Sequence, residues 1–259
     1  MSDLIAITRE VSPAIARCEL THVPRVPIDV ATARAQHAEY ERALVNGGCS
    51  VQRLSAGVDM ADGVFVEDTA VVFDEIAIIA RPGAESRRAE TADVEEALKH
   101  HRLLGHIEAP GTLDGGDVLV VGRSVFVGSS SRTNAAGIEQ LRRLVEYFGY
   151  SLQTVAVRGC LHLKAAVTAV TDETLLMNRE WARADEFVGL DIVDVHPDEP
   201  RGANVARVNG RLLYAAAFPR TQERLERRGH GVTTVDLSEI AKAEGAVTCC
   251  SLIFNSQTT

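Results

Sequence analysis

The side chains of this chain that could do covalent chemistry are few and far apart. Two adjacent thiols, Cys249 and Cys250, lie in Gly245-Ala246-Val247-Thr248-Cys249-Cys250-Ser251-Leu252-Ile253-Phe254, after a flexible glycine and at the mouth of an alternating apolar segment. A thiol there suits a nucleophile, and it suits a core position equally well, because free cysteine is among the most buried residue types. Leu161-His162-Leu163-Lys164 offers one imidazole between two leucines. A lone histidine of that kind is more often a satisfied core group than an acid–base catalyst. Asp62-Gly63-Val64-Phe65-Val66-Glu67-Asp68 sets three carboxylates around a short apolar run. Gly111-Thr112-Leu113-Asp114-Gly115-Gly116-Asp117 places two more in a Gly-rich turn. Asp beside Gly in a turn is more often a cap than a ligand, and acidic residues there would repel a phosphate. Arg81-Pro82-Gly83-Ala84-Glu85-Ser86-Arg87-Arg88 carries arginines to a helix start, where the macrodipole disfavours cations and a bound anion would be welcome. Ser129-Ser130-Ser131-Arg132-Thr133-Asn134 does the same with one arginine. Each signal is weak alone. Together they combine a thiol, an imidazole, carboxylates for a cationic head and arginines for a substrate carboxylate by bidentate pairing. A cationic group on an amino-acid backbone, meeting a cysteine nucleophile, describes an arginine derivative.

The elements that must hold these groups repeat. An opening strand at 4–9 precedes a polar loop through Pro13, Pro24 and Pro27, a helix from Ala31 to Asn46 stopped by Gly47-Gly48, and a strand at 50–54. Short strands at 64–66, 70–73 and 76–80 follow, then a helix from Ser86 to Lys99 and a strand around Ile107. A hairpin at 118–127, a helix capped by Thr133 or Asn134 and a strand at 152–157 repeat the plan. Next come strands at 165–170 and 174–177, a helix at 179–187 and a strand at 191–195. The last unit has a hairpin about Asn209-Gly210, a helix at 220–228 and a strand at 232–236. This is an α/β chain of ββαβ units recurring at roughly 45–50 residues. If the terminal strand at 252–254 joins the first unit, five blades close into a ring with no free edge and with loops converging on a central cavity. One domain spanning 1–259 is expected.

Bulk properties narrow the function. The chain of 259 residues is 46% hydrophobic and 24% charged, with a net charge of −9 and no sustained basic stripe, which argues against a nucleic-acid footprint. Charges interrupt every apolar run before membrane-spanning length, and Met1-Ser2-Asp3-Leu4 lacks a secretory pattern. Five scattered cysteines do not form a disulfide framework, and no CxxC or HxxxH pair suggests a metal. The expectation is a cytoplasmic protein with reduced thiols, without cofactor or metal, whose partner is a small molecule and whose oligomeric state is open.

The blocks Phe65-Val66-Glu67-Asp68, Arg81 to Arg88, Gly111 to Asp117, Arg132-Thr133-Asn134, Leu161 to Lys164 and Thr248-Cys249-Cys250-Ser251 resemble, in order and over nearly the whole chain, the dimethylarginine dimethylaminohydrolases. That family belongs to the guanidine-modifying superfamily of five-bladed α/β-propellers with pseudo-fivefold symmetry, which agrees with the repeat. The resemblance implies hydrolysis of Nω-methyl- and Nω,Nω-dimethyl-L-arginine to L-citrulline and the methylamine. It implies Cys249 as nucleophile, His162 as general acid–base and Asp114 as the carboxylate orienting it. Glu67 and Asp68 would bind the guanidinium, and Asp62 would lie near the substrate α-amino group. Arg87 and Arg132 would clamp its carboxylate, and Leu20 and Ala243 would offer backbone carbonyls to the ammonium. Two positions depart from the pattern: Glu244 stands where the family has Asp, and Asp114 where some members have Glu. Cys250, one residue on along the expected strand, would point to its opposite face as a structural thiol. A free thiol is mostly protonated at neutral pH, so the bound guanidinium is expected to help activate Cys249. The thiol and His162 could also bind zinc and be inhibited by it. The alternatives are an arginine deiminase, usually longer and carrying an inserted helical domain, or another guanidine hydrolase, and a catalytically silent propeller acting as a binding module.

Overall fold

A computed structural model describes residues 3–256, so residues 1–2 and 257–259 of the expected 1–259 domain lie outside it. The first unit consists of β1 (Leu4–Arg9), α1 (Val30–Asn46) and β2 (Cys49–Leu54). Asp29 caps α1 by accepting from the Thr32 N–H, and Gly48 at φ 93° turns the chain out of it. The second unit contains β3 (Ala70–Val72), β4 (Ile76–Ile79), α2 (Thr91–Leu98) and β5 (Leu103–His106). The third contains β6 (Val118–Val121), β7 (Ser124–Ser129), α3 (Ala135–Glu146, capped by Asn134) and β8 (Ser151–Ala156). The fourth has a helical turn α4 (Leu163–Ala166), then β9 (Val167–Ala169), β10 (Thr174–Met177) and β11 (Asp191–Asp194). The fifth has β12 (Val205–Val208), β13 (Arg211–Ala215), α5 (Pro219–Arg227), β14 (Val232–Val235) and the turn α6 (Ser238–Ala241) before β15 (Leu252–Asn255).

The strands form five three-stranded sheets, ordered β3-β4-β5, β6-β7-β8, β9-β10-β11, β12-β13-β14 and β15-β1-β2. In each, an antiparallel pair is followed by a parallel one, and the last strand supplies the missing partner of the first, with Ile5 opposite Phe254 and Ile7 opposite Leu252. Alternation along the strands explains the closed ring. Ile5 and Ile7 pack with β3, β4 and α2, whereas Leu4 and Ala6 face the β12-β13-β14 sheet. Val118 and Val120 face the second unit, and Leu119 and Val121 the fourth. Each of the five sheet-to-sheet junctions thus has its own apolar cluster, and successive side chains of one strand serve two junctions. The leading strand of every sheet (β3, β6, β9, β12, β15) lines a central cavity of about 640 Å³. This is the five-bladed α/β-propeller arrangement expected from the repeat.

Four local expectations are corrected. The terminal strand begins at Leu252 as expected, but the two thiols are not on it: Thr248–Cys250 is a 3-10 turn, with Cys249 N–H bonded to the Ala246 carbonyl and Ser251 N–H to that of Thr248. Cys250 is buried, but by that turn rather than by strand alternation. Residues 64–66 are not a strand, because the Phe65 and Asp68 amides bond back to Asp62 and Phe65. The strand expected from Ala165 begins at Val167, after α4. The helix expected over 179–187 reduces to a 3-10 turn at Ala184–Glu186. There the Asn178 side chain takes the Glu180 N–H, and the Trp181 carbonyl accepts the Arg158 N–H instead of a helical partner. Among the described residues no helix is long and apolar enough to cross a membrane.

Candidate active site

The site lies where the turns following the sheets converge, at one end of the ring. Cys249, His162, Asp62, Asp68, Arg87, Arg132 and Ala243 line one small cavity, with Glu19 and Glu244 at its rim. Asp114, Glu67 and Leu20 do not line it. Asp114 is fully buried behind His162, Glu67 faces the central cavity, and Leu20 sits in the loop over the top.

Cys249 is half-buried, and its sulfur accepts the Ala246 N–H at 3.4 Å. Its turn is held from below by Tyr40 of α1, whose hydroxyl donates to the Val247 carbonyl and meets Ser251 Oγ at 2.6 Å. Asn204 brackets Thr248, accepting its N–H and donating to its hydroxyl, each at 2.9 Å. Burial, and then the charges of Glu67 and Asp68, push the Cys249 thiol well above its ordinary pKa. With no ligand bound it is a thiol.

His162 caps the start of α4 in an extended conformation and is bounded on both ring nitrogens. Nε2 lies 3.1 Å from Asp114 Oδ2, and Nδ1 lies 3.7 Å from Asp68 Oδ1. Burial disfavours the imidazolium, but the charges of Asp68, Asp117 and Asp114 outweigh it and raise the pKa to about 9. Burial would likewise raise Asp68, yet the His162 and Arg87 charges bring it down to about 2. The donor atoms of Asp68, Asp114 and His162 lie within 4.8 Å of one another. Of the two ring contacts only Nε2 to Asp114 is within hydrogen-bond distance; Nδ1 and Asp68 interact by charge alone.

Two glycines make this packing possible. A Cβ on Gly116 would lie 2.6 Å from Asp68 Oδ1 and 2.7 Å from His162 Nδ1, and one on Gly115 would lie 2.0 Å from the Glu67 carbonyl oxygen. Gly116 also donates its N–H to Asp68 Oδ1 at 3.0 Å.

The two arginines differ. Arg87 is saturated: it bonds Asp68 Oδ2 at 2.5 Å, Glu90 Oε2 at 2.8 and 3.0 Å, and the Asp62 and Phe65 carbonyls. Arg132 is buried at the cavity wall, and among the described residues no hydrogen bond or ion pair engages its guanidinium. Glu67 is bound by Lys164 Nζ at 2.6 Å and by the Thr248 hydroxyl at 2.7 Å, and both charged groups line the central cavity.

The loop over the site is tied by carboxylates. Asp62, raised in pKa by burial, accepts the Glu19 N–H with both oxygens at 3.1 and 3.2 Å. Glu244, in the left-handed region at φ 58°, accepts the Thr21 and His22 N–H groups at 2.5 and 2.8 Å. With the loop down, the free volume is about 20 Å³, space for about one water.

Sequence reasoning did not single out Tyr40, Lys164, Asn204 or Asp117 as site residues. Lys164 and Asp117 stood inside motifs that it did single out. Nothing in the helical pattern around Tyr40 or the strand pattern around Asn204 could have marked them.

A family model described as N,N dimethylarginine dimethylhydrolase, eukaryotic, matches residues 26–186. The dimethylarginine dimethylaminohydrolase of Streptomyces coelicolor is 42% identical over 95% of both chains. The enzyme of that name from Pseudomonas aeruginosa is 39% identical over 87% of this chain and 90% of its own. A solved structure of the Pseudomonas aeruginosa protein, a C249S mutant complexed with citrulline, superposes with a TM-score of 0.93 at 36% identity, covering 98% of this chain and 100% of that one.

Proposed function

The chain belongs to the dimethylarginine dimethylaminohydrolase family, and we propose that it hydrolyses Nω,Nω-dimethyl-L-arginine and Nω-methyl-L-arginine to L-citrulline and the free methylamine within a single catalytic domain. The observation that carries this reading is a half-buried thiol facing buried carboxylates, beside a histidine held protonated at neutral pH. The reading assigns the guanidinium to Asp68, with Glu67 contributing its charge from outside the small cavity, the substrate carboxylate chiefly to Arg132, whose guanidinium has no partner among the described residues, and the ammonium to Asp62 with the carbonyls of Leu20 and Ala243.

The electrostatics suit a substrate-activated nucleophile. Burial, with the charges of Glu67 and Asp68, holds the Cys249 proton on; a guanidinium seated against Asp68 beside the sulfur offsets those charges and favours the thiolate. The sulfur attacks the guanidinium carbon and forms a C–S bond. His162, carrying its proton at neutral pH, delivers it to the departing dimethylamine as the C–N bond breaks. The now neutral imidazole takes a proton from water while the hydroxyl attacks the thiouronium carbon, and C–S cleavage releases citrulline and restores the thiol. Asp114 fixes the imidazole through Nε2.

The test is citrulline formation from dimethyl-, monomethyl- and unmodified L-arginine by wild type, Cys249→Ala and Cys250→Ala. Wild type and Cys250→Ala should release citrulline from the methylated substrates, and Cys249→Ala should lose the activity. Equal loss in both variants overturns the assignment of the nucleophile. Turnover of arginine as fast as dimethylarginine overturns the specificity in favour of a deiminase, and no turnover by wild type favours the binding-module alternative.

A further inference from the structure

We propose that Asp117 is a positioning residue for this reaction, the one buried anchor that fixes the proton-carrying histidine, its orienting carboxylate and the arginine clamp relative to one another. The inference rests on the hydrolase reading above and adds a residue that touches no substrate.

Asp117 is fully buried, at the end of the Gly115–Asp117 turn that leads into β6. Among the described residues no lysine or arginine pairs with it, so an acidic group has been placed inside the protein for its acceptors. Oδ1 accepts the Leu163 N–H at 3.0 Å, the first amide after His162 and the start of α4. Oδ2 accepts the Ser130 hydroxyl at 2.6 Å. Ser130 Oγ in turn accepts the N–H groups of Arg132 at 3.0 Å and Thr133 at 3.2 Å, and Thr133 Oγ1 accepts the Asp114 N–H at 3.1 Å. The Asp117 N–H closes the loop on the Asp114 carbonyl at 3.0 Å. Asp114 and Arg132 lie at the start and in the middle of the third unit and His162 at the start of the fourth, and Asp117 reaches the backbone of Asp114, of Arg132 and of Leu163 beside His162 in one or two hydrogen bonds.

The surroundings are shaped for this contact. A Cβ on Gly128 would lie 2.8 Å from Asp117 Oδ1 and 2.9 Å from Leu163 Cβ, so glycine there leaves the room the bond needs. The charge matters as well as the shape. With both acceptor positions of Ser130 Oγ occupied by amides, its hydrogen must go to Asp117. An asparagine would present an N–H₂ group to that hydroxyl or to the Leu163 amide, one donor facing another. Burial favours the neutral acid at Asp117, and the His162 charge, the Ser130 and Thr133 hydroxyls and the Leu163 amide oppose it. The groups facing His162 are therefore Asp68, Asp114 and Asp117, with Cys249 across the cavity, while the Lys164 ammonium of its own helical turn is committed to Glu67.

The test compares wild type with Asp117→Asn and Ser130→Ala by imidazole NMR titration of His162, steady-state citrulline formation against pH, and thermal unfolding. Folded Asp117→Asn is expected to titrate His162 about one pH unit lower, to shift the alkaline limb of kcat with it, and to lose about 100-fold in kcat. A folded variant whose His162 titration matches wild type overturns the proposal, even if kcat falls, because a structural defect alone would give that. If Asp117→Asn does not fold, Ser130→Ala decides: a KM increase of about tenfold that exceeds any fall in kcat, in a protein that unfolds at the wild-type temperature, supports the link to Arg132, and unchanged KM overturns it. A wild-type protein that makes no citrulline would refute the hydrolase reading separately. The His162 titration, which needs no substrate, would still support or overturn the anchor.

Discussion

Replacing His162 by Gln should flatten the dependence of folding stability on pH in the alkaline range, by an amount set by three carboxylates. In the folded protein His162 holds its proton to about pH 9, against an ordinary value of 6.5. A raised folded-state pKa means that the native state binds more protons than the unfolded chain between those limits. Its contribution is complete below about pH 6.5 and is lost as pH rises through about 9. The interval corresponds to about 3 kcal/mol, or about 6–12 °C in Tm for a chain of this size. Asp68, lowered to about 2, stays ionised throughout and does not confound the window. The assay is urea unfolding at several pH values from about 6 to 9.5, followed by the fluorescence of Trp181, the one tryptophan in the chain. Wild type should lose about 3 kcal/mol more than His162→Gln across that range. Parallel curves, agreeing within about 0.5 kcal/mol, would refute the claim that His162 is an imidazolium buried among carboxylates.

Two further outcomes follow from contacts at the site. Glu244→Ala removes the acceptor of two amides in the loop over the cavity; each such bond to a charged group contributes about 1.5–3 kcal/mol. Amide exchange at Thr21 and His22 should accelerate by at least tenfold, roughly, and exchange at the wild-type rate would show that the latch carries nothing. Gly116→Ala forces a methyl group against Asp68 and His162 and should lower kcat/KM by about 100-fold. Gly122→Ala, strained at φ 56° but with nothing within 4 Å, should lose stability while keeping its activity; equal activity in the two variants would show that the close approach at Gly116 is tolerated.

The repeat of strand pairs and helices was legible in the chain because alternation and capping are local. Asn209-Gly210 adopts positive φ at both residues, as the hairpin turn requires, and Asn134 caps α3 through its own side chain. The errors fell where a distant partner took over a backbone group, as the Arg158 amide does to the Trp181 carbonyl. They also fell where the chain turns tightly to present a side chain, as at Thr248–Cys250. The two arginines looked alike in sequence, each beside acidic or hydroxyl residues. Only packing shows that Arg87 is consumed by Asp68 and Glu90 while Arg132 is left facing the cavity.

By itself the sequence determined the ββαβ repeat, the closure of the ring by its last strand and the residue types brought to the site. Each of these follows from short-range pattern or from motifs that survive in the linear order. The tertiary structure decided the charge states and the hierarchy among those residues. The Cys249 thiol keeps its proton because it is buried and has Glu67 and Asp68 folded near it, and His162 keeps its own because Asp68, Asp117 and Asp114 enclose it. Electrostatic energy depends on separation and burial in space, and for groups as far apart in the chain as Asp68 and His162 the linear order specifies neither.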